Sequence, residues 1–227
     1  MITEPPIDPA QFVACVQPLL AGKDLQGLSD LLRTRFTESQ LTSLFHCDNP
    51  DARKVAALAF GLIGCKAGMC KLASLLKDHD PMVNQMAEHA MWTIWFRSGA
   101  TPEANHELCR GTKAMNRRDF DHAVEHFDRA LAADPSFAEA YNQRAIVKYL
   151  QERYEESIED CKLAVEGMPH HFGAWAGMGH CHAHLGRLRD AITCYEKVLS
   201  IHPSFGGVRQ VVEELRCRME HGEGESV

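Results

Sequence analysis

The 227-residue sequence has no apolar run long enough to cross a bilayer. Its longest near-unbroken stretch, Val55 to Cys65, is well short of the roughly 20 residues that a membrane-spanning helix needs. Basic residues are not in excess either, because 24 Lys and Arg against 31 Asp and Glu give a net charge of −7. That charge disfavours a general nucleic-acid binder, which needs a basic surface. We therefore expect no membrane and no nucleic-acid partner.

Signals for secretion, disulfide pairing and catalysis are also missing. The first six residues lack the basic and apolar regions of a secretory signal, so we expect a cytoplasmic protein. Nine cysteines are present, but no Cys-x-x-Cys pair occurs, which favours reduced thiols. No phosphate-binding glycine loop, nucleophile elbow or dinucleotide motif is found. The sequence predicts a protein that is not an enzyme and needs no cofactor.

An internal repeat is the strongest pattern in the chain. Pro135, Pro169 and Pro203 lie 34 residues apart and define three blocks, 104–137, 138–171 and 172–205. Three positions of each block carry matching residues: position 8 has Gly111, Ala145 and Gly179, position 20 has Ala123, Ser157 and Ala191, and position 24 has Phe127, Cys161 and Tyr195. Small residues at positions 8 and 20 let two antiparallel helices approach, and the proline ends the second helix. Each block is predicted to be a helix–turn–helix.

This pattern resembles the tetratricopeptide repeat. The third block carries it most fully, in Trp175, Gly179, Gly186, Ala191, Tyr195 and Pro203. In the first block, Glu107 stands in place of the usual aromatic residue. The apolar stripe of residues 206–220 predicts the capping helix that a stack of repeats needs, and residues 222–227 are interpreted as a frayed tail.

The N-terminal part repeats with a different period. Asn49-Pro50 and Asp80-Pro81 lie 31 residues apart, and each pair fits a helix cap followed by proline at the first helical position. Residues 66–77 predict one intervening helix. Two helices per unit resemble short HEAT-type repeats, and the whole chain resembles bacterial proteins that join HEAT-like and tetratricopeptide repeats.

The predicted fold is therefore an all-α, right-handed α-solenoid. Its regions are a HEAT-like part at 1–98 and a tetratricopeptide part at 99–221, with Ser98 to Pro102 between them. A short junction of this kind favours one continuous stack. The resemblance implies the fold and brings no particular activity with it.

The resemblance also implies a concave groove lined by the first helix of each block. The residues expected to contact a partner there are Leu108, Thr112, Glu139, Asn142, Ile146, Tyr149, Leu150, His180 and His184. This mixture of apolar and amide side chains suits an extended peptide or a partner helix. The alternative is that the apolar members pack against another part of the same chain.

Chaperone-tail binders of this family hold a terminal carboxylate with a clamp of lysine, arginine and asparagine. The corresponding positions here are Leu108, Thr112, Gln143, Gly173 and Gly177, and none of them is cationic. Binding of a chain-terminal carboxylate in that mode is therefore not expected.

Histidines suggest a second possibility. His180 and His184 lie four apart on one helix, as two zinc or nickel ligands would, but the sequence shows no third ligand. His122 and His126 share that spacing at positions expected on a solvated face. Trp92, Trp95 and Phe96 fit either a packed core at the junction or an exposed anchor for a partner.

The main functional prediction is an adaptor or scaffold that binds a protein or peptide in the groove. The alternatives are a metal-binding regulator or enzyme that uses the histidine-rich third block, and a structural protein that assembles through the ends of the stack. The sequence does not decide the oligomeric state.

Overall fold

A computed structural model of the chain describes residues 7–223, with side chains to Glu220. The described residues form thirteen α-helices and no β-strand, which confirms the all-α prediction. They divide into two compact units, Met1–Trp95 and Phe96–Val227. Within the described helices, none is long and apolar enough to span a membrane. The N-terminal six residues and most of the predicted tail lie outside the described part.

The first unit consists of six helices and three short 3₁₀ segments. The helices are α1 (Pro9–Ala21), α2 (Leu25–Arg35), α3 (Glu38–Ser43), α4 (Pro50–Ile63), α5 (Met69–Ser74) and α6 (Pro81–Phe96), whose last residue falls in the second unit. Asn49 caps α4, since its Oδ1 accepts bonds from the backbone of Asp51 and Ala52. Helices α4 and α6 approach closely, because a Cβ on Gly61 would lie 2.9 Å from the Cβ of Ala90.

The helix predicted over residues 66–77 is present, but its α-helical part is shorter than expected. That segment forms α5 between the 3₁₀ turns Lys66–Gly68 and Leu75–Lys77. Gly68 lies directly against the ring of Phe60, so the chain bends around that ring before α5 begins.

At the end of α6, Trp95 is fully buried and packs edge to face with Trp92, whereas Phe96 is exposed.

The second unit is a row of antiparallel helix pairs followed by one more helix. The pairs are α7 (Pro102–Asn116) with α8 (Phe120–Ala133), α9 (Ala138–Leu150) with α10 (Tyr154–Gly167), and α11 (Phe172–His184) with α12 (Leu188–Ile201). The last helix, α13 (Val208–Glu223), packs on α12 through Val208, Val212 and Leu215, as expected of a cap. It extends three residues past the predicted end at 220.

Each pair is held by a side chain at block position 24 packed on position 8. Phe127 faces Gly111 in the first pair, and Tyr195 faces Gly179 in the third. A Cβ on Gly179 would lie 2.7 Å from the Tyr195 ring, so the ring needs glycine beneath it. The second pair has Ala145 and Cys161 instead, a larger residue at position 8 and a smaller one at position 24.

Polar contacts join the first two pairs on the side of α8 and α10. The guanidinium of Arg144 donates to both oxygens of Asp160, at 2.8 and 2.6 Å, and to Asp128 of α8. Lys148 lies 2.7 Å from the same Asp160, which is almost fully buried. Two cations and hydrogen bonds therefore compensate the buried carboxylate.

The prediction that His126 lies on a solvated face is wrong. Its Nδ1 is 2.7 Å from Glu107 Oε2, and its side chain is only 21% exposed. This bond explains why the first block tolerates Glu107 where the family has an aromatic residue. His122 does remain exposed, paired with Asp119. The hydrogen bond with His126, against the opposing effect of burial, lowers the pKa of the Glu107 carboxyl.

The two glycines of α11 are predicted to respond oppositely to alanine. Gly179→Ala should lower the free energy of unfolding by about 1–3 kcal/mol, because the methyl group would collide with the Tyr195 ring. Gly177→Ala should raise it by about 0.5–1 kcal/mol, since a Cβ there meets only the Cys161 sulfur, at 3.4 Å. Urea unfolding of both variants measures this, and equal effects would contradict the packing described above.

Glu107 should contribute to acid sensitivity. Because its pKa is lower in the folded state, the unfolded chain binds the proton more readily, and the contribution disappears as pH falls below about 4.3. We expect Glu107→Gln to lose less stability than the wild type between neutral pH and pH 3. Chemical unfolding across that range tests it, and parallel curves for the two proteins would be the contrary result.

Candidate functional site

A pocket of about 250 Å³ lies between α9, α10 and α11. Its lining is mainly apolar and contains no Lys, Arg, Asp or Glu: Asn142, Ala145, Ile146, Tyr149, Leu150, Ser157, Cys161, Gly177 and His180. Five of these residues are among those predicted to contact a partner. At the mouth, Leu150 is 50% exposed although it is a large apolar residue.

The pocket follows from the small residue at position 24 of the second pair. In the first and third pairs, that position carries the rings of Phe127 and Tyr195, and both rings are buried. Cys161 has no ring, and Ala145 and Ser157 beside it are also small. From the neighbouring pair, Gly177 adds no side chain. The space that a ring fills elsewhere in the unit is therefore empty here.

Aromatic and imidazole rings cluster beside the mouth. The Tyr149 hydroxyl is 2.8 Å from His184 Nε2, and the His184 ring stacks on Tyr154 with centroids 4.9 Å apart. The Tyr195 hydroxyl is 2.7 Å from His180 Nδ1. These bonds hold both histidines, which the sequence suggested as ligands. The described residues contain no group of three His, Cys, Asp or Glu that could hold a metal ion.

The environment favours the uncharged forms of Tyr149, Tyr195 and His180. Burial raises the pKa values of the Tyr149 and Tyr195 hydroxyls, so both stay protonated. Burial, together with His184, lowers the pKa of His180, which favours its neutral form. A protonated Tyr195 hydroxyl and a neutral imidazole form a consistent donor and acceptor pair. Burial also raises the pKa of Cys161, so its thiol is not an activated nucleophile.

A buried polar network joins α9 to His171, the residue that precedes α11. Glu139 and His171 have fully buried side chains, with His171 Nε2 2.7 Å from Glu139 Oε2. His171 Nδ1 accepts the Ala174 amide, so its proton is on Nε2 and is donated to Glu139. Gln143 donates to the other carboxylate oxygen at 2.6 Å, and Asn142 Nδ2 is 3.5 Å from both oxygens.

The structure distributes the predicted contact residues over two environments. Ile146, Tyr149, Leu150 and His180 line the pocket, with His184 bonded to Tyr149 beside it. Glu139 is completely buried in the polar network. Leu108 is a core residue of the first pair, and the Thr112 hydroxyl donates to the Leu108 carbonyl. Asn142 belongs to both environments, since it lines the pocket and approaches Glu139.

Sequence reasoning did not identify Cys161, Gly177 or His171 as parts of this region. Comparison of the blocks contains the pattern that finds two of them. Position 24 is aromatic twice and cysteine once, and position 34 is Phe137 and Phe205 but His171 in the second block. A departure of one repeat from the other two thus marks both the pocket and the network.

Three stacked helix pairs and a capping helix define a helical repeat solenoid in the second unit. Residues 110–170 and 173–205 match the tetratricopeptide repeat family. These residues are therefore tetratricopeptide repeats, as the 34-residue spacing predicted.

Curated relatives share the repeats at modest identity. Sperm-associated antigen 1 of Mus musculus is 29% identical over 120 residues, which are 53% of this chain and 13% of that protein. A TPR repeat-containing protein of Rhizobium etli is 26% identical over 143 residues, 63% of this chain and 70% of its own length. The match thus spans only a small part of the mouse relative.

Solved structures agree with the fold of the second unit. The Sgt2 TPR domain from Aspergillus fumigatus aligns with a TM-score of 0.52 at 22% identity, over 56% of this chain and 85% of that one. The first TPR of Spaghetti (RPAP3), bound to the HSP90 peptide SRMEEVD, aligns with a TM-score of 0.51 at 21% identity, over 52% and 94%. At this identity the likeness concerns the fold alone.

The buried network gives a prediction on stability. Glu139→Leu should cost about 2–4 kcal/mol of unfolding free energy, because the buried N–H groups of His171 and Gln143 lose their acceptor. Adding His171→Phe should recover part of that loss, since phenylalanine occupies this position in the other two repeats. Urea unfolding of the single and double variants tests this. Additive losses would show that Glu139 and His171 are not coupled.

Proposed function

We propose that the protein is an adaptor that binds a peptide or a partner helix along the exposed face of α9 and α11. The observation that carries this proposal is Leu150, a half-exposed leucine at the mouth of an apolar pocket, flanked by hydrogen-bonded Tyr149 and His184. Exposed apolar surface beside a concave pocket is typical of an interaction site. The other predicted contacts, Ile146 and His180, lie at the same place.

The partner segment should be uncharged where it enters the pocket. The Spaghetti neighbour is described with an acidic HSP90 peptide, but the clamp positions of this chain hold Leu108, Thr112, Gln143, Gly173 and Gly177. None of these carries the positive charge that the clamp uses to hold a terminal carboxylate. The residues of this chain are thus consistent with adaptor activity. They are not consistent with recognition of a chaperone C-terminus.

The proposal also includes the architecture of the N-terminal region and the cellular location of the protein. The paired helices of the first unit and the capped start of α4 support a HEAT-like region at 1–98. We place the adaptor in the cytoplasm, on the reduced state expected of its nine cysteines. Burial holds the Cys161 thiol of the pocket protonated, so we propose no nucleophilic catalysis by this residue.

A random peptide library selected against the purified full chain tests the proposal. Leu150→Glu should weaken the selected peptides by about tenfold or more, because a carboxylate at the mouth opposes apolar contact. Leu163→Glu is the matched control, since Leu163 of α10 is 42% exposed and does not line the pocket. The peptide SRMEEVD should bind neither protein.

Equal binding by the wild type and the Leu150→Glu variant would place the interaction surface elsewhere. Circular dichroism of both variants measures their helical content. Each replaces an exposed side chain, so helical content should not change.

A further inference from the structure

We infer that the pocket between α9, α10 and α11 accepts one aromatic side chain with a hydrogen-bond donor, a tryptophan or tyrosine from an internal segment of the partner. This inference rests on the proposed function and specifies the chemistry of what is bound. It follows from three features of the pocket: the missing ring, the composition of the walls, and one amide oxygen without a partner.

The missing ring sets the shape of the vacant space. Phe127 and Tyr195 show that this unit packs an aromatic ring between positions 8 and 20 of a helix pair. The second pair keeps small residues at those positions, Ala145 and Ser157, but has Cys161 in place of the ring. An apolar cavity of about 150 Å³ is enough to bind benzene. The 250 Å³ found here therefore has room for a bicyclic ring.

The walls favour an aromatic ring over an aliphatic chain. The rings of Tyr149 and His180 lie on one side, with centroids 6.3 Å apart and planes inclined by 47°. Cys161 is also part of the lining, and its sulfur lies 3.4 Å from a Cβ placed on Gly177. Edge-to-face contacts with rings and contacts with sulfur are both favourable for an aromatic guest. Gly177 leaves one wall as bare backbone, so a flat ring can approach it closely.

The side-chain oxygen of Asn142 is a hydrogen-bond acceptor available to a guest in the pocket. Asn142 is 2% exposed and lines the pocket. Its Nδ2 faces Glu139, whose carboxylate can only accept, so its Oδ1 points the other way. No hydrogen bond to that oxygen occurs within the described residues. A tryptophan N–H or tyrosine O–H entering the pocket can donate to this oxygen, because Asn142 lines the pocket.

The charge of the site selects an internal segment over a chain end. The lining contains no Lys, Arg, Asp or Glu, and the Glu139 carboxylate that Asn142 approaches already accepts from His171 and Gln143. A terminal carboxylate would lose its hydration here with no cation to replace it. An uncharged aromatic side chain loses little, and the half-exposed Leu150 extends apolar contact along the rest of the peptide.

Indole and benzofuran are the probes, because they have the same shape and only indole has an N–H. Each probe is titrated into the full chain and followed by ¹H–¹⁵N NMR. Indole should shift the amide resonances of Ala145, Gly177 and His180. Benzofuran should bind about three- to tenfold more weakly, as expected for the loss of one hydrogen bond. Absence of indole shifts at these residues would overturn the inference, and so would equal affinity for the two probes.

Two independent variants fill the pocket. Ala145→Gly with Cys161→Phe restores the glycine and ring of the first pair, and Gly177→Leu fills the pocket from α11. Each should abolish the indole shifts, and Leu163→Ala on the outer face of α10 should leave them unchanged. The second variant keeps the test decisive if the first does not fold. Indole shifts that persist in a folded variant would contradict the assignment.

Peptides selected from the library separate this inference from the proposed function. Peptides that depend on both Leu150 and Gly177, and that share an internal tryptophan or tyrosine, support it. Peptides weakened by Leu150→Glu but not by Gly177→Leu would overturn the aromatic anchor and leave the adaptor function standing. If indole binds and no peptide depends on Leu150, the pocket serves a free aromatic molecule, and both the anchor and the groove function fail.

Discussion

Packing of the position 24 side chain onto position 8 is the contact on which the second unit depends. A ring on a glycine, as in Phe127 on Gly111 and Tyr195 on Gly179, brings two antiparallel helices close and buries the surface between them. Because neighbouring pairs stack through the same helices, each such contact also fixes the distance to the next pair. A change at one position 24 therefore alters the space between two repeats.

The second repeat shows how such a change becomes a site. Replacement of the ring by Cys161 leaves an apolar pocket, and Gly177 of the next repeat does not fill it. At position 34 of the same repeat, His171 takes the place of phenylalanine and bonds to a buried carboxylate. The first and third repeats keep these positions aromatic. The middle repeat has thus exchanged apolar packing for a cavity beside α9 and α11 and for a polar network buried in the core.

The sequence predicted the repeats well and the site only in part. Proline spacing and small residues report local constraints, so the helix pairs, the cap of α4 and the capping helix could be derived from them. Ile146, Tyr149, Leu150 and His180 were named by their block positions and line the pocket. The exposure of His126 and the α-helical length of segment 66–77 were misjudged, because a bond to Glu107 and the ring of Phe60 come from other helices.

By itself, the sequence determined the class of fold and the register of the repeats, since both follow from spacings along one chain. It also excluded a carboxylate clamp, because the residues at the clamp positions can be read without coordinates and none of them is cationic. Only the tertiary structure decided that Glu139 is sealed in the core while Leu150 is open to solvent, although both lie on α9. Burial depends on which helices pack beside a residue, and cavities depend on what neighbouring side chains fail to fill.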